Sequence, residues 1–343
     1  MASRMETELG MTPDLVEALA APERVRTQLR DQGLRPFRRL VLSGCGSSYF
    51  AAHLAATQLE AQGFPVGCHE AGDLLTEAVP LSSEDLLVLL SQSGETKTVL
   101  ELMRRRQRQG DQMVLITGHP ESEAAGLADV VIGSGFTQDQ SLCHTVSVMV
   151  LGLLALEVAA SSDRRRGTSG RVVQPERVRL AEYLRALYAR RKEIEGWIAW
   201  GEVSHALLLA AKGVWPVAEE GSLKLAEATY LPALAVPFET FFHGYIPLAN
   251  PRTAVVALLS PRNDERRAAE FELVRRTVGF QGKVVDKEAV GLGTDSQAEI
   301  LFPWLGLHAM HLITLGAANQ RRTNPDLLRR EDPIYMTARQ LHR

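Results

Sequence analysis

The feature that most constrains the fold is an alternation of short apolar segments with helical segments, which runs along the chain twice. In the first half, four apolar segments of strand length each end in a Gly- or Ser-containing loop: residues 40–42, 85–90, 113–116 and 130–132. Segments with helical periodicity lie between them, such as residues 49–61 and 98–109. This alternation predicts a parallel sheet with helices on both faces.

The second half repeats the pattern. We predict strands at residues 205–209, 254–259, 283–285 and 300–302, and helices at residues 219–230, 264–278 and 307–319. Two further helices are predicted, over residues 11–32 and 175–200. The chain is therefore expected to be α/β, with two tandem doubly wound (flavodoxin-like) parallel sheets and flanking helices. The expected divisions are an N-terminal helical segment (1–35), domain 1 (36–160), a linker and helix (161–200), domain 2 (201–320) and a tail (321–343).

Charge and apolar content exclude several classes of protein. The formal net charge is −3, too near neutral to indicate nucleic acid or an acidic membrane surface as a partner. The longest apolar run, residues 146–160, is shorter than the roughly 18 residues of a membrane helix and contains Glu157. No signal peptide is recognisable. Three cysteines without paired spacing predict reduced thiols: Cys45, Cys68 and Cys143. We expect a cytoplasmic protein that binds neither nucleic acid nor membranes.

Two loops at predicted strand ends have the composition of a phosphate-binding site. They are Gly44-Cys45-Gly46-Ser47-Ser48 and Ser91-Gln92-Ser93-Gly94-Glu95-Thr96. Each lies between a strand and a helix, where backbone N–H groups converge at the positive end of a helix dipole. Hydroxyl and amide side chains add hydrogen bonds: Ser48, Ser91, Gln92, Ser93 and Thr96. The loops predict phosphate binding that needs neither metal nor cofactor.

Two other interpretations of these loops were weighed. Ser and Gly also form ordinary turns and helix N-caps, so either loop alone supports that interpretation equally well. Gly44-x-Gly46 after a strand, with Glu70 downstream, is also compatible with nicotinamide binding. However, the third glycine position is Tyr49, and a dinucleotide fold gives no reason for residues 91–96. Two hydroxyl-rich loops in one unit favour a phosphate.

The two loops resemble the signature loops of the sugar isomerase (SIS) domain. The resemblance continues at residues 220–227, Glu-Gly-Ser-Leu-Lys-Leu-Ala-Glu, and at His243-Gly244, so it covers nearly the whole chain as two tandem SIS domains. The arrangement is similar to the isomerase half of glucosamine-6-phosphate synthase. The tail from Asn324-Pro325-Asp326 to Tyr335 looks more like the tagatose-6-phosphate isomerase and amino-sugar-phosphate deaminase branch. The resemblance implies a set of phosphate-binding residues: Gly46, Ser47, Ser48, Ser91, Gln92, Ser93 and Thr96.

The second half lacks such a loop. Its place is taken by Ser260-Pro261-Arg262-Asn263-Asp264, which has no Ser-x-Ser-Gly pattern. The carboxylate of Asp264 would repel a phosphate. We therefore expect one phosphate site per chain, in the first half, and acid–base groups from the second half.

Glu220, Lys224 and Glu227 are spaced by four and three residues and would share one face of a helix. This spacing alone is also typical of a surface ion-pair ladder. The resemblance implies that Glu227 is the base that carries a proton between two carbons, and that Lys224 polarises the carbonyl or forms an imine.

The resemblance also implies that His243 opens the sugar ring and reaches the site from a partner subunit, so that a homodimer shares its active sites. Tyr245 stands where many relatives carry proline. The apolar residues 231–242 support an interface, because so apolar a loop needs a surface to pack on. By the same resemblance, Asp139 and Leu142 contact sugar hydroxyls through a carboxylate and a backbone carbonyl.

Some family features are missing from this sequence. The synthase has a tail lysine near the substrate carbonyl, whereas the last lysine here is Lys287. Either Lys224 alone performs imine chemistry, or the reaction uses a plain enediol. The sequence also starts without a glutaminase domain, so we expect no ammonia from glutamine. His308 and His311 could face one way on a helix, but no third ligand is near in sequence, so we expect no metal site.

These observations predict an enzyme, a phosphosugar aldose–ketose isomerase or deaminase. Its substrate would be a hexose or amino-sugar 6-phosphate of the fructose-6-phosphate or glucosamine-6-phosphate type. The alternative is a sensor that binds sugar phosphate without turnover. Such proteins often carry a DNA-binding helix-turn-helix, for which the first 35 residues are too few and too acidic. The presence of Lys224, Glu227 and His243 favours the enzyme.

Overall fold

The structure is a computed structural model that describes residues 2–19, 22–137, 139–162, 172–261 and 264–341. By contacts the chain divides into two units, which are described separately. The five-stranded unit comprises Ala18–Gln138, Val146–Gln174 and Gln340–Arg343. The four-stranded unit comprises Met1–Glu17, Asp139–Thr145 and Pro175–Arg339.

Helix α1 (Arg4–Ala18) opens the chain and belongs, through Glu17, to the four-stranded unit. In the five-stranded unit the strands are β1 (Arg39–Gly44), β2 (Val66–Glu70), β3 (Asp85–Leu90), β4 (Gln112–Thr117) and β5 (Val130–Gly133). The helices are α2 (Pro22–Asp31), α3 (Ser47–Ala61), α4 (Ala71–Leu75), α5 (Lys97–Gln109) and α6 (Val146–Ser162). All strand pairs are parallel, in the order β2-β1-β3-β4-β5. Strands β3 and β4 are buried at every residue, as strands covered on both faces must be.

In the four-stranded unit, α7 (Arg177–Ala189) and α8 (Arg191–Glu195) precede the sheet. Its strands are β6 (His205–Ala210), β7 (Ala233–Pro237), β8 (Thr253–Leu258) and β9 (Gln281–Val285). The other helices are α9 (Trp215–Thr229), α10 (Phe238–Thr240), α11 (Asp264–Val278), α12 (Ala298–Arg321) and α13 (Pro333–Leu341). The parallel order β7-β6-β8-β9 repeats the first four positions of the other sheet. The expected fold class, two flavodoxin-like parallel sheets, is confirmed.

Three strand assignments differ from the sequence-based expectation. Strands β2 and β7 were not predicted. β2 is a partly exposed edge strand without a continuous apolar run, whereas β7 is an edge strand whose apolar residues were interpreted as part of an interface loop. Residues 300–302 were predicted as a strand but lie inside α12. A short apolar run has the same appearance in a buried strand and in a buried helix, and its context decides between them.

Two predicted helices are each interrupted. Residues 11–32 form the end of α1 and all of α2, and Pro13 lies inside α1 instead of near its start. Helix α1 begins earlier because the Asp326 carboxylate accepts the N–H groups of Arg4 and Met5 at 2.9 and 3.0 Å. Residues 175–200 form α7 and α8 instead of one helix. Most of the predicted linker, residues 163–171, lies outside the described residues.

Several of the apolar residues 231–242 pack within their own unit. They form β7, α10 and the start of the turn that follows, and Phe238 and Phe241 are 2% and 0% exposed. Phe241 packs edge-on against Phe280, with ring centroids 6.3 Å apart. Leu234 in β7 is 46% exposed, so the core accounts for part of this apolar character and an interface with a partner subunit stays a prediction.

Helix α12 is long and apolar enough to cross a membrane by length and composition, which the sequence analysis overlooked. It is the one such helix among the residues that the structure describes. Of its most apolar stretch, 94% is buried inside the fold. Burial of this extent is typical of the core helix of a globular unit.

The contact-based units also divide the chain differently from the expected domain bounds. The helix over Arg4–Glu17 and the segment Asp139–Thr145 group with residues after 174, although both were assigned to the first half of the chain. The segment Asp139–Thr145 thus carries two predicted site residues, Asp139 and Leu142, into the four-stranded unit.

We predict that Gly316 in α12 cannot be replaced without loss of stability. A Cβ at this position would lie 2.5 Å from the backbone Cα and O of Glu195 in α8. Gly316→Ala should lower the free energy of unfolding by about 1–3 kcal/mol, measured by urea denaturation. Gly306 is the control, because its Cβ would meet nothing closer than 3.9 Å. Gly306→Ala should be neutral or stabilising by up to about 1 kcal/mol, and equal losses in both variants would contradict the close approach.

Candidate active site

The two Ser/Gly loops leave the carboxyl ends of neighbouring strands. Strands β1 and β3 pair directly, with Ser43 opposite Leu89. In the strand order 2-1-3-4-5, the direction of winding reverses between these two strands, which is where ligands bind in open α/β sheets. A Cβ on Gly44 would lie 3.0 Å from the backbone oxygen of Leu90, so the loops begin in contact. The structure therefore brings the two predicted phosphate loops together.

The loop at residues 44–48 turns sharply into α3. Gly46 has a φ of +55°, a left-handed conformation that favours glycine. No side chain caps the helix, which begins at Ser47. Ser48 is partly exposed and its N–H donates to the Cys45 carbonyl at 3.2 Å. Glycine at position 46 is thus required by the turn that orients the start of α3.

The two serines of the loop at residues 91–96 differ in burial and in role. Ser91 is buried, and its Oγ accepts the Gly94 N–H at 3.2 Å. Ser93 is exposed, and its Oγ accepts the Glu95 N–H at 3.2 Å. A hydroxyl that accepts one hydrogen bond retains its proton for donation to a ligand oxygen. Ser93 is therefore the accessible hydroxyl, whereas Ser91 shapes the loop.

Gln92 connects this loop to the segment that follows β5. Its Nε2 donates to the carbonyl oxygens of Phe136 and Thr137 at 2.8 and 2.9 Å. The backbone carbonyl of Gln92 accepts a hydrogen bond from the Thr117 hydroxyl at 3.3 Å. The side-chain N–H groups of Gln92 are thus hydrogen-bonded within the fold. These bonds explain a glutamine at this position without the predicted contact to a ligand. Thr96 is partly exposed at the start of α5.

Cys45 is not an activated thiol, although it precedes a helix N-terminus. Burial is the main cause that raises its pKa, to about 11, and the nearby charge of Glu70 adds to the increase. The thiol stays protonated at neutral pH, which agrees with its interpretation as a small residue in a tight turn.

In the four-stranded unit, α9 buries a charged array formed by Glu220, Lys224 and Glu227. Lys224 Nζ lies 2.8 Å from Glu227 Oε2 and 3.3 Å from Glu220 Oε1. The side chains of Lys224 and Glu220 are 0% and 1% exposed, whereas that of Glu227 is 22% exposed. The array is therefore no surface ladder, and Glu227 is the carboxylate that an entering molecule could reach.

Lys224 is held as an ammonium ion. Burial lowers its pKa, but the charges of Glu220 and Glu227 outweigh burial and leave the pKa above its ordinary value. An amine must lose its proton before it can attack a carbonyl to form an imine. The arrangement therefore suits Lys224 for stabilising negative charge more than for nucleophilic attack.

The segment Asp139–Thr145 approaches the same array. Cys143 is fully buried, and its thiol senses the charges of Lys224, Glu227, Glu220 and Asp139. Burial raises the pKa of this thiol, which is therefore protonated. The structure thus brings Asp139 and Leu142 together with the predicted catalytic helix. Cys143 has no predicted role in the site, although its place directly after Leu142 is a signal in the sequence.

His243 belongs to a different element of this unit. It is exposed on a single π-helical turn, Phe241–Tyr245, that follows α10. Tyr245, which replaces the proline of many relatives, completes that turn. The phosphate-loop counterpart of this unit is only partly described, since Arg262 and Asn263 lie outside the described residues.

His308 and His311 face α9 from α12 and are fully buried. The structure adds a neighbour that sequence spacing could not show, because His311 Nε2 lies 3.9 Å from Glu220 Oε1. Burial lowers the pKa of His308 to about 3 and also lowers that of His311, so both are neutral. Over the described ranges, no three His, Cys, Asp or Glu side chains form a group that could hold a metal ion.

The SIS domain family model matches residues 33–162. These residues contain the five-stranded sheet and both Ser/Gly loops, so it is this part of the chain that is similar to the SIS domain family. The assignment of residues 201–320 to a second SIS domain rests on the repeated strand order and stays a prediction.

Curated relatives are isomerizing glutamine–fructose-6-phosphate aminotransferases. The protein from Gluconobacter oxydans is 27% identical over 271 residues, which are 74% of this chain and 44% of the relative. That from Shouchella clausii is 27% identical over 319 residues, 89% of this chain and 51% of the relative. The chain thus spans about half the length of the curated relatives it matches.

Solved structures show the same fold over nearly the whole chain. Tagatose-6-phosphate ketose/aldose isomerase from Escherichia coli has a TM-score of 0.78 at 19% identity and covers 95% of both chains. The C-terminal domain of glucosamine-fructose-6-phosphate aminotransferase from Francisella tularensis has a TM-score of 0.74 at 20% identity, covering 95% of this chain and 98% of that one. At these identities the similarity establishes the fold.

We predict that the buried array depends on charge balance. Lys224→Met leaves the buried Glu220 carboxylate without its cation and should lower the free energy of unfolding by about 3–5 kcal/mol. Adding Glu220→Gln should recover part of that loss, because the uncompensated charge is removed. Lys192→Met is the control, since Lys192 is 65% exposed beside Glu195, and it should cost about 0–1 kcal/mol. Urea denaturation of the wild type, Lys224→Met, Glu220→Gln and the double variant gives the coupling, and strictly additive losses would contradict it.

Proposed function

We propose that this chain is a phosphosugar isomerase or deaminase that acts on a hexose or amino-sugar 6-phosphate. The observation that carries the proposal is the buried array in α9, in which one carboxylate, Glu227, is partly exposed and lies 2.8 Å from an ammonium ion. A carboxylate that is accessible and paired with a fixed cation has the properties of a general base beside a stabiliser of negative charge.

The proposed chemistry is a proton transfer through an enediol. Glu227 removes the proton from the carbon next to the carbonyl, and the C–H electron pair forms the C=C bond. The carbonyl oxygen takes negative charge, which the Lys224 ammonium stabilises, and this oxygen then receives the proton of the hydroxyl on the neighbouring carbon. Glu227 returns its proton to the former carbonyl carbon, while the oxygen that gave up its proton forms the new C=O bond, so that no proton is gained or lost overall. The charged state of Lys224 supports this route over an imine on the same lysine.

The phosphoryl group is assigned to the loops at residues 44–48 and 91–96. Their position at the sheet's switch point and the exposed hydroxyl of Ser93 support this assignment. Backbone N–H groups at the starts of α3 and α5 add positive potential for a dianion. Gly46, Ser47, Ser48 and Thr96 complete the proposed cradle.

The remaining contacts are assigned by resemblance. Asp139 and Leu142 would hold the sugar hydroxyls, and His243 would open the sugar ring. The exposure of His243 is compatible with action on a neighbouring subunit, so we retain a homodimer with shared active sites as part of the proposal.

The names of similar proteins narrow the substrate class. They include fructose-6-phosphate aminotransferases, a tagatose-6-phosphate isomerase and a glucosamine-6-phosphate deaminase from Thermotoga maritima. All three reactions move a proton between neighbouring carbons of a ketose or amino-sugar phosphate, which is the step assigned to Glu227. A panel of hexose and hexosamine 6-phosphates, followed for ketose and for ammonia, identifies which reaction this chain performs.

We predict that Glu227→Gln abolishes proton exchange but spares binding. In deuterated water, the wild-type protein should incorporate deuterium at C1 or C2 of its substrate, as followed by NMR. Loss of the base should slow this incorporation by about 10²- to 10⁴-fold, with affinity changed only a few-fold. Glu219→Gln makes the same charge change on the same helix, outside the array, and should retain exchange. Exchange at the normal rate in Glu227→Gln would show that the base is another residue.

We predict that Ser93→Ala weakens binding of a hexose 6-phosphate. A hydrogen bond to a charged group contributes about 1.5–3 kcal/mol, so the affinity measured by calorimetry should fall roughly 10- to 100-fold. Ser83→Ala is the matched control, because Ser83 is also exposed but precedes β3, at the opposite end of that strand from residues 91–96. Equal affinities for the two variants would remove residues 91–96 from the phosphate site.

A further inference from the structure

Glu8 is a buried acid on an otherwise apolar face of α1. Met5, Leu9 and Val16 on this helix are fully buried, and Glu8 itself is 5% exposed. A buried carboxylate is costly unless hydrogen bonds compensate it. The partners of Glu8 therefore indicate why the chain tolerates an acid at this position.

Those partners are backbone groups of the segment Asp139–Thr145. Glu8 Oε1 accepts the N–H of Ser141 at 3.0 Å and the N–H of Gln140. The Arg4 side chain, one turn earlier in α1, donates to the Gln140 carbonyl at 3.3 Å. Side chains of helix α1 thus hold the segment directly after Asp139, through hydrogen bonds to the backbone of that segment.

The tail connects to the same two elements. The Asp326 carboxylate accepts hydrogen bonds from backbone N–H groups at the start of α1. The backbone carbonyl of Asp326 accepts the Leu142 N–H at 3.3 Å. Ser141 Oγ donates to the Pro325 carbonyl at 3.2 Å. Three segments that are distant in sequence therefore meet at one junction.

The segment held at this junction carries the proposed sugar contacts. Asp139 is 1% exposed, and its carboxylate accepts the Thr145 N–H and faces His144 Nδ1, both at 3.2 Å. The next residues after Ser141 are Leu142 and Cys143, and Cys143 lies buried beside the array of α9. A shift of the segment would move Asp139 and the Leu142 carbonyl relative to Lys224.

We propose that Glu8 is a positioning residue for sugar recognition, which holds residues 139–145 so that Asp139 and the Leu142 carbonyl can meet the sugar hydroxyls. The inference rests on the proposed function in assigning sugar contacts to these two residues. It does not depend on turnover, so binding can test it separately.

The surroundings of Glu8 make the stability of the junction depend on pH. Burial is the largest influence and raises the pKa of Glu8 to about 7; Asp139 and Asp326 contribute in the same direction, and the N–H groups of Ser141 and Gln140 oppose it. If the junction opens and Glu8 returns to its ordinary pKa of 4.5, the charged form gains solvation. The closed junction is then most stable below about pH 4.5 and loses stability as the pH rises to about 7. The other ionisable side chains at the junction are His144, against Asp139, and Arg4, against the Gln140 carbonyl.

The test compares affinity for a hexose 6-phosphate with affinity for inorganic phosphate, both measured by calorimetry on the full chain. Glu8→Ala should reduce hexose 6-phosphate affinity roughly tenfold or more, because the two backbone hydrogen bonds that hold residues 140 and 141 are lost. Its affinity for inorganic phosphate should stay at the wild-type value. Glu6→Ala is the control, since Glu6 on the same helix pairs with Arg191 at 3.3 Å instead of the segment.

Glu8→Gln keeps the accepting oxygen without the charge and should retain hexose 6-phosphate affinity. Between pH 5.5 and 8, wild-type affinity should fall severalfold relative to Glu8→Gln, and comparing two proteins with one ligand cancels the titration of the phosphate itself. Parallel pH profiles, or equal sugar-specific losses in Glu8→Ala and Glu6→Ala, would overturn the inference. A wild-type protein that binds hexose 6-phosphate no better than inorganic phosphate would overturn it as well. Sugar-specific binding without turnover would instead contradict the proposed function and leave the role of Glu8 supported.

Discussion

The buried ammonium of Lys224 is the interaction on which the candidate site depends. A buried ammonium ion that is shielded from solvent must be paired with an anion. One carboxylate would neutralise it, and the two carboxylates present leave the array with a net negative charge. Helix α9 supplies both partners from its own sequence, four residues before and three residues after the lysine. Because the pairing is internal to one helix, the array is preformed, and it needs only burial by the surrounding segments to become chemically distinct from a surface ion pair. Glu227, the less buried partner, is left to interact with a substrate.

Parallel strand order provides the second constraint. In each unit the chain winds outward from one central strand in both directions, so the loops after the two innermost strands must emerge side by side. Only the five-stranded unit furnishes these loops with the Gly and Ser residues that suit an anion. The two units therefore share an architecture and differ in chemistry, as expected when function resides in loops that a common scaffold supports. The division of Ser91 and Ser93 between loop support and exposure follows from the same geometry.

The junction of α1, residues 139–145 and the tail shows where sequence reasoning reached its limit. Local pattern led to the helices, the central strands, both loops and the spacing of Glu220, Lys224 and Glu227. It did not reveal Glu8, whose surroundings in sequence indicate only an acid on a helix, although a lone acid among Met5, Leu9 and Val16 was a usable signal. It also misassigned residues 300–302, since a run of three apolar residues has no period of its own. The edge strand β2 was missed because pairing on one side demands little apolar character, and β7 was missed because its apolar residues were interpreted as part of an interface loop.

The sequence alone determined the α/β class, the flavodoxin-like winding, the two Ser/Gly loops and the residue types of the array, because these depend on periodicity and spacing within about thirty residues. Tertiary structure alone decided that the array is buried, that Lys224 is charged, and that Phe238 and Phe241 are buried in the core of their own unit. It also decided that Asp139–Thr145 packs with α9 and is held by Glu8 and Asp326. Burial and long-range hydrogen bonds join residues up to 322 positions apart, and no local pattern contains that information.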